Sequence, residues 1–184
     1  MPIIVSLLKQ GNKNLFVLVY VDDIIITSND VVATSNLKQY LHNTSSIKDL
    51  GDLRYFLGIE VSRSSKDIFL CQRKYILDIL QDTCMTGARI SLFQLEQNIC
   101  LLPTTGELIL NSTIYHRLIS HLLYLTIAYS DIQFAVNNLS QFMQYPRTCH
   151  LDVAYRVLRY IKGKIDTGIF LSSSTTLHIH GYTD

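Results

Sequence analysis

Two apolar runs, rich in β-branched and aromatic residues, meet at a pair of acids. Leu15 to Val21 is followed by Asp22-Asp23 and then by Ile24-Ile25-Ile26-Thr27. Continuous apolar runs of this length suit strands covered on both faces, and a polar pair between them marks a chain reversal. The pattern predicts a buried β-hairpin with acid at its tip. Neighbouring side chains on a regular strand point to opposite faces, so adjacent carboxylates converge only where strand geometry breaks. Clustered carboxylates are hard oxygen donors suited to Mg²⁺, which takes a few of them together with water and substrate phosphates. Phosphoryl transfer by two metals uses such a site. Asp is equally an ordinary turn residue, so the string Tyr20-Val21-Asp22-Asp23 by itself leaves both readings open.

After the hairpin, Asn29 or Asp30 stands where a helix cap belongs, with a helix through about His42 and Ala33, Leu37, Tyr40 and Leu41 inward. Asp49-Leu50-Gly51-Asp52 reads as a turn. Leu53 to Val61 alternates strictly between two faces and predicts a half-buried strand, with Ile68-Phe69-Leu70 returning as its partner. The chain then turns helical. Gln72 to about Cys84 carries Tyr75, Ile76, Ile79 and Leu80 on one face, and residues 86–112 look irregular. A helix from Ser112 or Thr113 carries Tyr115, Leu118, Ile119, Leu122 and Leu123. Another, capped by Ser130 and ended by Pro146, carries Ile132, Ala135, Val136, Leu139 and Phe142. A third runs from about Thr148 to Lys162, with Leu151, Ala154, Val157, Leu158 and Ile161 inward and Gly163 as its stop. Gly168 to Leu171 and Leu177 to Tyr182 read as short strands around a Ser/Thr turn. The order is α+β, sheet first and helices second.

Composition narrows the function classes. Hydrophobic residues make up 48% of the 184 and charged residues 17%, which excludes an intrinsically disordered chain. A net charge of +1 excludes a strongly basic nucleic-acid-coating protein, although a local patch stays possible. No stretch approaches the ~20 apolar residues of a membrane span. The start has no basic region of the kind that opens a signal peptide. Cys71, Cys84, Cys100 and Cys149 lack C-x-x-C spacing and read as reduced thiols of an intracellular protein. His178 and His180 alternate onto one strand face, too few ligands for a metal by themselves.

Several ordered motifs together resemble the reverse transcriptase of copia-type retrotransposons along nearly the whole chain. Leu18-Val19-Tyr20-Val21-Asp22-Asp23-Ile24-Ile25-Ile26-Thr27 is similar to that family's polymerase hairpin, and residues 48–61, Lys48-Asp49-Leu50-Gly51 through Gly58-Ile59-Glu60-Val61, to its next signature. Leu122-Leu123-Tyr124-Leu125-Thr126, Asp131-Ile132, Phe134-Ala135-Val136-Asn137 and Leu139-Ser140-Gln141-Phe142-Met143 resemble its helical region. Arg156-Val157-Leu158-Arg159-Tyr160-Ile161-Lys162-Gly163 resembles the stretch that follows.

The resemblance implies an α+β fold in three parts: a partial polymerase palm (1–70, an antiparallel sheet with a helix), a helical thumb- or connection-like region (71–163), and the start of a ribonuclease H-like domain with a terminal β-hairpin (164–184). It implies that Asp22 and Asp23 are catalytic, Mg²⁺-binding carboxylates, with Tyr20 and Val21 beside the substrate. By the same resemblance, Phe56, Leu57 and Gly58 form a primer-gripping turn, and Asp184 is a further metal-binding carboxylate in the ribonuclease H part. Arg156, Arg159 and Lys162 recur at helical spacing; the residues alone favour a solvated helix face with cations near its C-terminus, and the other reading is that they track phosphates. The implied partners are an RNA or DNA template–primer, deoxynucleotides and the remainder of a Pol polyprotein, with no membrane.

The family's first palm carboxylate has no counterpart here, since no Asp or Glu precedes Tyr20. The expectation is therefore a reverse transcriptase fragment inactive alone. The alternatives are a non-catalytic remnant and a nucleic-acid-binding or interaction domain. Low charge with high apolar content further predicts exposed apolar surface around residues 3–27 and 168–182.

Overall fold

A computed structural model describes residues 4–45, 47–95 and 104–175. The chain divides into two units, Met1–Phe56 and Leu57–Asp184. Among the described residues its architecture is mixed α+β, with antiparallel sheets and five α-helices.

The first unit is a three-stranded antiparallel sheet in the order β1-β2-β3: Ile4–Gln10, Lys13–Tyr20 and Asp23–Ser28. The sequence reading has no strand before Leu15, yet β1 pairs with β2 from Ile4 opposite Val19 to Gln10 opposite Lys13. Leu7-Leu8 breaks the alternation that would have marked this edge strand. The β2–β3 hairpin is present, but it is half-exposed rather than buried. Leu15, at 8% exposure, is the unit's one buried apolar residue among those described, and Phe16, Leu7 and Leu8 face outward. Runs that are apolar on both faces need cover on both, and the described residues of this unit supply one helix, packed against β3.

That helix, α1, spans Val31–Ser45. Asp30 is its cap: Oδ1 accepts from Val32 N at 3.0 Å and Ala33 N at 3.3 Å, satisfying orphan donors of the first turn. Lys13 Nζ lies 2.6 Å from the same carboxylate. The Lys13 hydrogen bond, with those from the helix amides, holds the Asp30 carboxyl below its ordinary range. Asn29, the other expected cap, is used elsewhere. Its side chain accepts from Asn14 N and donates to Asn12 O, tying the end of β3 to the β1–β2 turn. Ala33, Leu37 and Leu41 are half-buried, but Tyr40 is exposed. The stripe runs at four-residue steps, and Tyr40 falls on its flank.

Residues 47–54 are irregular and lead into a two-residue strand, β4 (Tyr55–Phe56). The expected continuous strand over Leu53–Val61 is therefore broken. Leu57 (φ 48°) and Gly58 (φ 75°) both take left-handed backbone, the pairing that a type I′ turn demands. The apolar alternation runs straight through these two residues, so the periodicity hides the break.

In the second unit, β5 (Ile59–Arg63), β6 (Asp67–Cys71) and β7 (Ile169–Ser172) pair antiparallel in that order. Helix α2 (Arg73–Asp82) starts without a side-chain cap from Gln72. Glu60 of β5 fills the role, its carboxylate accepting from Lys74 N at 2.7 Å. Helices α3 (Thr113–Leu125), α4 (Gln133–Ser140) and α5 (Thr148–Lys162) follow, with a 3-10 turn over Ser130–Ile132 leading into α4. Their apolar faces form one core with α2, in which Ile76, Ile119, Leu122, Leu139, Leu158 and Ile161 are fully buried. Burying each such side chain stabilises the fold by roughly 1.5–3 kcal/mol.

Several details differ from the sequence reading. The α3 stripe passes from Leu122 to Leu125, leaving Leu123 on the surface. The first turn of α3 is capped by Asn111 Oδ1 on Thr113 N, not by Ser112. Ser130 makes no cap bond. Helix α4 ends at Ser140, well before Pro146, so Phe142 stands beyond it and stacks on the buried His150 with centroids 3.9 Å apart. The expected strand over 177–182 lies outside the described residues.

Candidate active site

Tyr20 and Asp23 are paired across the β2–β3 hairpin, leaving Val21 and Asp22 as the two turn residues. Val21 has φ 51°, while Asp22 has no positive φ. Positive φ at the first central position alone is the type II′ pattern, where glycine is preferred. A β-branched residue there is a genuine outlier, and such strain costs about 1–3 kcal/mol. The adjoining β strands hold the strained tip by pairing on both sides.

The tip faces solvent. Val21, Asp22 and Asp23 are all exposed, while Tyr20 is half-buried on β2. Among the described residues, neither the Asp22 nor the Asp23 carboxylate has a hydrogen-bond or ion-pair partner. A cleft of about 990 Å³ within this unit opens beside them, lined by β3, by Lys38 and His42 of α1, and by residues 47–56. Asp49 also lines it but is committed: it pairs with Lys38 at 2.9 Å and accepts from Gly51 N at 2.9 Å. The Lys38 hydrogen bond, followed by that from Gly51, keeps its carboxyl below the usual range.

The donor chemistry of Asp22 and Asp23 fits Mg²⁺, a hard cation that takes one or two carboxylates from a protein and the rest of its shell from water and substrate phosphates. No set of three metal-ligating side chains comes together among the described residues. The fit is therefore that of two carboxylates and no more.

The remaining expected site residues lie apart from this tip in sequence. Phe56 ends β4, and Leu57 and Gly58 form the turn that opens the second unit. Arg156, Arg159 and Lys162 are half-buried on α5. Lys162 Nζ donates to Thr86 O at 2.5 Å and Ala88 O at 2.7 Å, so it ties down the loop after α2. Lys164 is likewise engaged, with Asp131 Oδ2 at 2.7 Å. Burial pushes the Asp131 carboxyl up, but the Lys164 and Tyr160 hydrogen bonds outweigh it and leave it below its ordinary range. Asp184, His178 and His180 lie outside the described residues.

The sequence reading missed one contact set. Tyr124 of α3 donates through its hydroxyl to the Leu57 carbonyl, and its ring lies against Gly58. Tyr124 sits inside the quoted Leu-Leu-Tyr-Leu-Thr motif, but nothing in its spacing points to a residue so far away in sequence.

Residues 4–96 match the family described as reverse transcriptase (RNA-dependent DNA polymerase). The chain belongs to this family. It is 40% identical over 177 residues, 96% of its length, to the retrovirus-related Pol polyprotein from transposon RE1 of Arabidopsis thaliana. It is 30% identical over 189 residues to the corresponding polyprotein from transposon TNT 1-94 of Nicotiana tabacum, again across 96% of its length. An uncharacterized mitochondrial protein of Arabidopsis thaliana is 32% identical over 180 residues, 92% of this chain and 70% of that protein. The copia-type resemblance read from the motifs thus stands. The chain spans 12% of the RE1 polyprotein and 14% of the TNT 1-94 one. No solved structure matches.

Among the described residues, no helix is long and apolar enough to cross a membrane.

Proposed function

We propose that the chain is the part of a retrotransposon reverse transcriptase that presents the polymerase carboxylates and grips the primer. In this reading, Asp22 and Asp23 are the catalytic carboxylates, and Tyr20 and Val21 border the reacting 3′ end. The observation that carries the proposal is the Val21 turn: a strained tip that holds two uncommitted, exposed acids at the mouth of a cleft. Strain of this kind persists where it serves a site.

Asp22 and Asp23 would hold Mg²⁺. When bound, the ion would supply activation of the attacking oxygen and stabilisation of the leaving oxygens. The chain's own part is to fix two negative oxygen donors on a hairpin whose paired strands prevent the tip from relaxing. The Phe56-Leu57-Gly58 turn would position the primer, and Arg156 and Arg159 would face phosphates of a template–primer duplex. Lys162 is spent on the 86–88 loop and would add less. The reading keeps three parts, a partial palm over 1–70, a helical thumb-like region over 71–163 and a ribonuclease H-like start at 164 with Asp184.

Two carboxylates are one short of the set that the resemblance implies. We therefore expect the chain to be inactive alone and to gain activity from a further Pol segment bearing a third acid. That segment would also cover the outward apolar side chains of β1 and β2.

The test is primer extension on an RNA template with Mg²⁺, comparing the chain alone with the chain joined to the segment that precedes it in the RE1 polyprotein. Incorporation should appear only in the joined form and fall at least about 100-fold in Asp22→Asn. Undiminished extension by Asp22→Asn would overturn the assignment.

A further inference from the structure

The Leu57-Gly58 turn is an improbable object by itself. Leu57 at φ 48° occupies backbone that leucine disfavours, so something outside the turn must hold it there. Tyr124 does so in two ways. Its hydroxyl donates to the Leu57 carbonyl. Its ring closes over Gly58, where an added Cβ would lie 3.2 Å from Tyr124 Cε1 and 3.8 Å from Tyr75 Cδ2.

Tyr124 is in turn fixed. Its ring meets that of Tyr75 edge-on, with centroids 5.0 Å apart and planes at 70°. The Tyr75 hydroxyl is hydrogen-bonded to His121 Nδ1 at 2.9 Å, one turn before Tyr124 on α3. Gln72, fully buried, donates through Nε2 to the Tyr124 carbonyl at 3.5 Å. The turn is thus joined to the helical core through a short aromatic relay, Tyr124 to Tyr75 to His121.

We propose that Tyr124, backed by Tyr75 and His121, is a positioning residue that locks the Leu57-Gly58 turn in the conformation offered to the primer 3′ end. The turn's primer role rests on the reading above; its locking by Tyr124 does not. Gly58 suits this arrangement in two ways, by its left-handed backbone and because a Cβ there would press on the Tyr124 ring. Removing the Tyr124 hydroxyl leaves the ring packing intact and frees the Leu57 carbonyl, so the turn should open more often while the helices stay as they are.

The experiment compares the full chain with its Tyr124→Phe variant by amide hydrogen exchange, together with photocrosslinking to a template–primer duplex labelled at the primer 3′ end. Exchange at residues 57–59 should rise about 5- to 10-fold, the factor that loss of one hydrogen bond implies. Exchange in α5 should not change, and 3′-end crosslinking should fall. Tyr75→Phe, which keeps the aromatic contact but unlinks His121, should give the same effect in smaller measure. Unchanged exchange at 57–59 in Tyr124→Phe overturns the inference. Equal acceleration in α5 also overturns it, because the hydroxyl would then serve the core at large. A loosened turn with undiminished crosslinking overturns the primer-positioning half. Failure of the unmodified chain to crosslink at all removes the primer reading, and the exchange result then decides the lock by itself.

Discussion

Val21, Leu57 and Cys84 are the described non-glycine residues with positive φ, and they fall into two kinds. Cys84 has a purely structural explanation. It sits just past α2, where Met85 N bonds back to Leu80 O at 2.8 Å and Cys84 N to Gln81 O at 3.0 Å. This is the Schellman closure of a helix, whose left-handed residue is normally glycine. Cysteine carries a Cβ penalty there with no compensating contact to glycine's disadvantage, since its side chain is exposed. Cys84→Gly should therefore raise stability by about 1 kcal/mol, read as a higher urea midpoint at unchanged slope. Val21 and Leu57 differ in that each lies in a turn to which the motif resemblance assigns a polymerase role. Glycine at either would relax the backbone and leave the tip free to wander.

At the scale of elements, the joint between α2 and α3 carries a titratable group in a constrained place. His121 packs against Tyr75, its Nε2 is buried without a hydrogen-bond partner among the described residues, and Asp82 of α2 and Arg117 of α3 form an ion pair nearby. Burial, reinforced by Arg117 and opposed by Asp82, pushes the imidazole below its ordinary value. The fold thus favours neutral His121, while the unfolded chain takes up its proton near the usual pKa of about 6.5. Between the folded and unfolded values the unfolded state binds more protons, so this contribution is fully present above about pH 6.5 and is lost as pH falls. Urea midpoints measured from about pH 8 to about pH 5 should drop more steeply for the natural chain than for His121→Gln. A matching slope would show that the joint is indifferent to this proton.

The elements also mark what a sequence can disclose. The helical stripes were readable because a period of 3.6 residues survives in the order of residues, as from Leu118 to Leu122 and from Val157 to Ile161. The β2–β3 hairpin was readable from its two apolar runs. The failures share a physical origin. Leu57-Gly58 does not interrupt the alternation, Leu7-Leu8 blurs β1, and Glu60 replaces a local cap from a neighbouring strand. Each depends on a contact or a dihedral angle that leaves no periodic trace. Of the candidate site, the Asp pair was legible, whereas the hold of Tyr124 on Leu57 joins residues far apart in sequence and was not.

At the scale of the whole molecule, the two units are unequal. The second has a continuous core from α2 to α5. The first buries Leu15 among its described apolar side chains and leaves Leu7, Leu8 and Phe16 outward. The C-terminal strand β7 likewise exposes Phe170, and so does the link before α3 at Leu110, so outward apolar surface extends beyond the two regions expected. Native-state hydrogen exchange should divide accordingly. Amides of β1, β2 and β3 should exchange by small openings, at least about 100-fold faster than those in α3 and α5, which require global unfolding of their unit. Comparable protection in both would mean that the sheet has support beyond its own packing.

That Leu15 is the one buried side chain among the sheet's described residues has a consequence for how substitutions are tolerated. In the helical unit, positions such as Ile119 or Leu158 resist change because a cavity there costs about 2–5 kcal/mol. In the sheet, almost no position except Leu15 carries that constraint from within the chain. A saturation mutagenesis survey scored only for folding would therefore find the sheet permissive and the helices strict. Scored for nucleotide incorporation in a complete polymerase, the permissive region should become demanding around Asp22 and along β1. On the proposed reading, the difference between the two maps would outline, residue by residue, a surface for a further Pol segment.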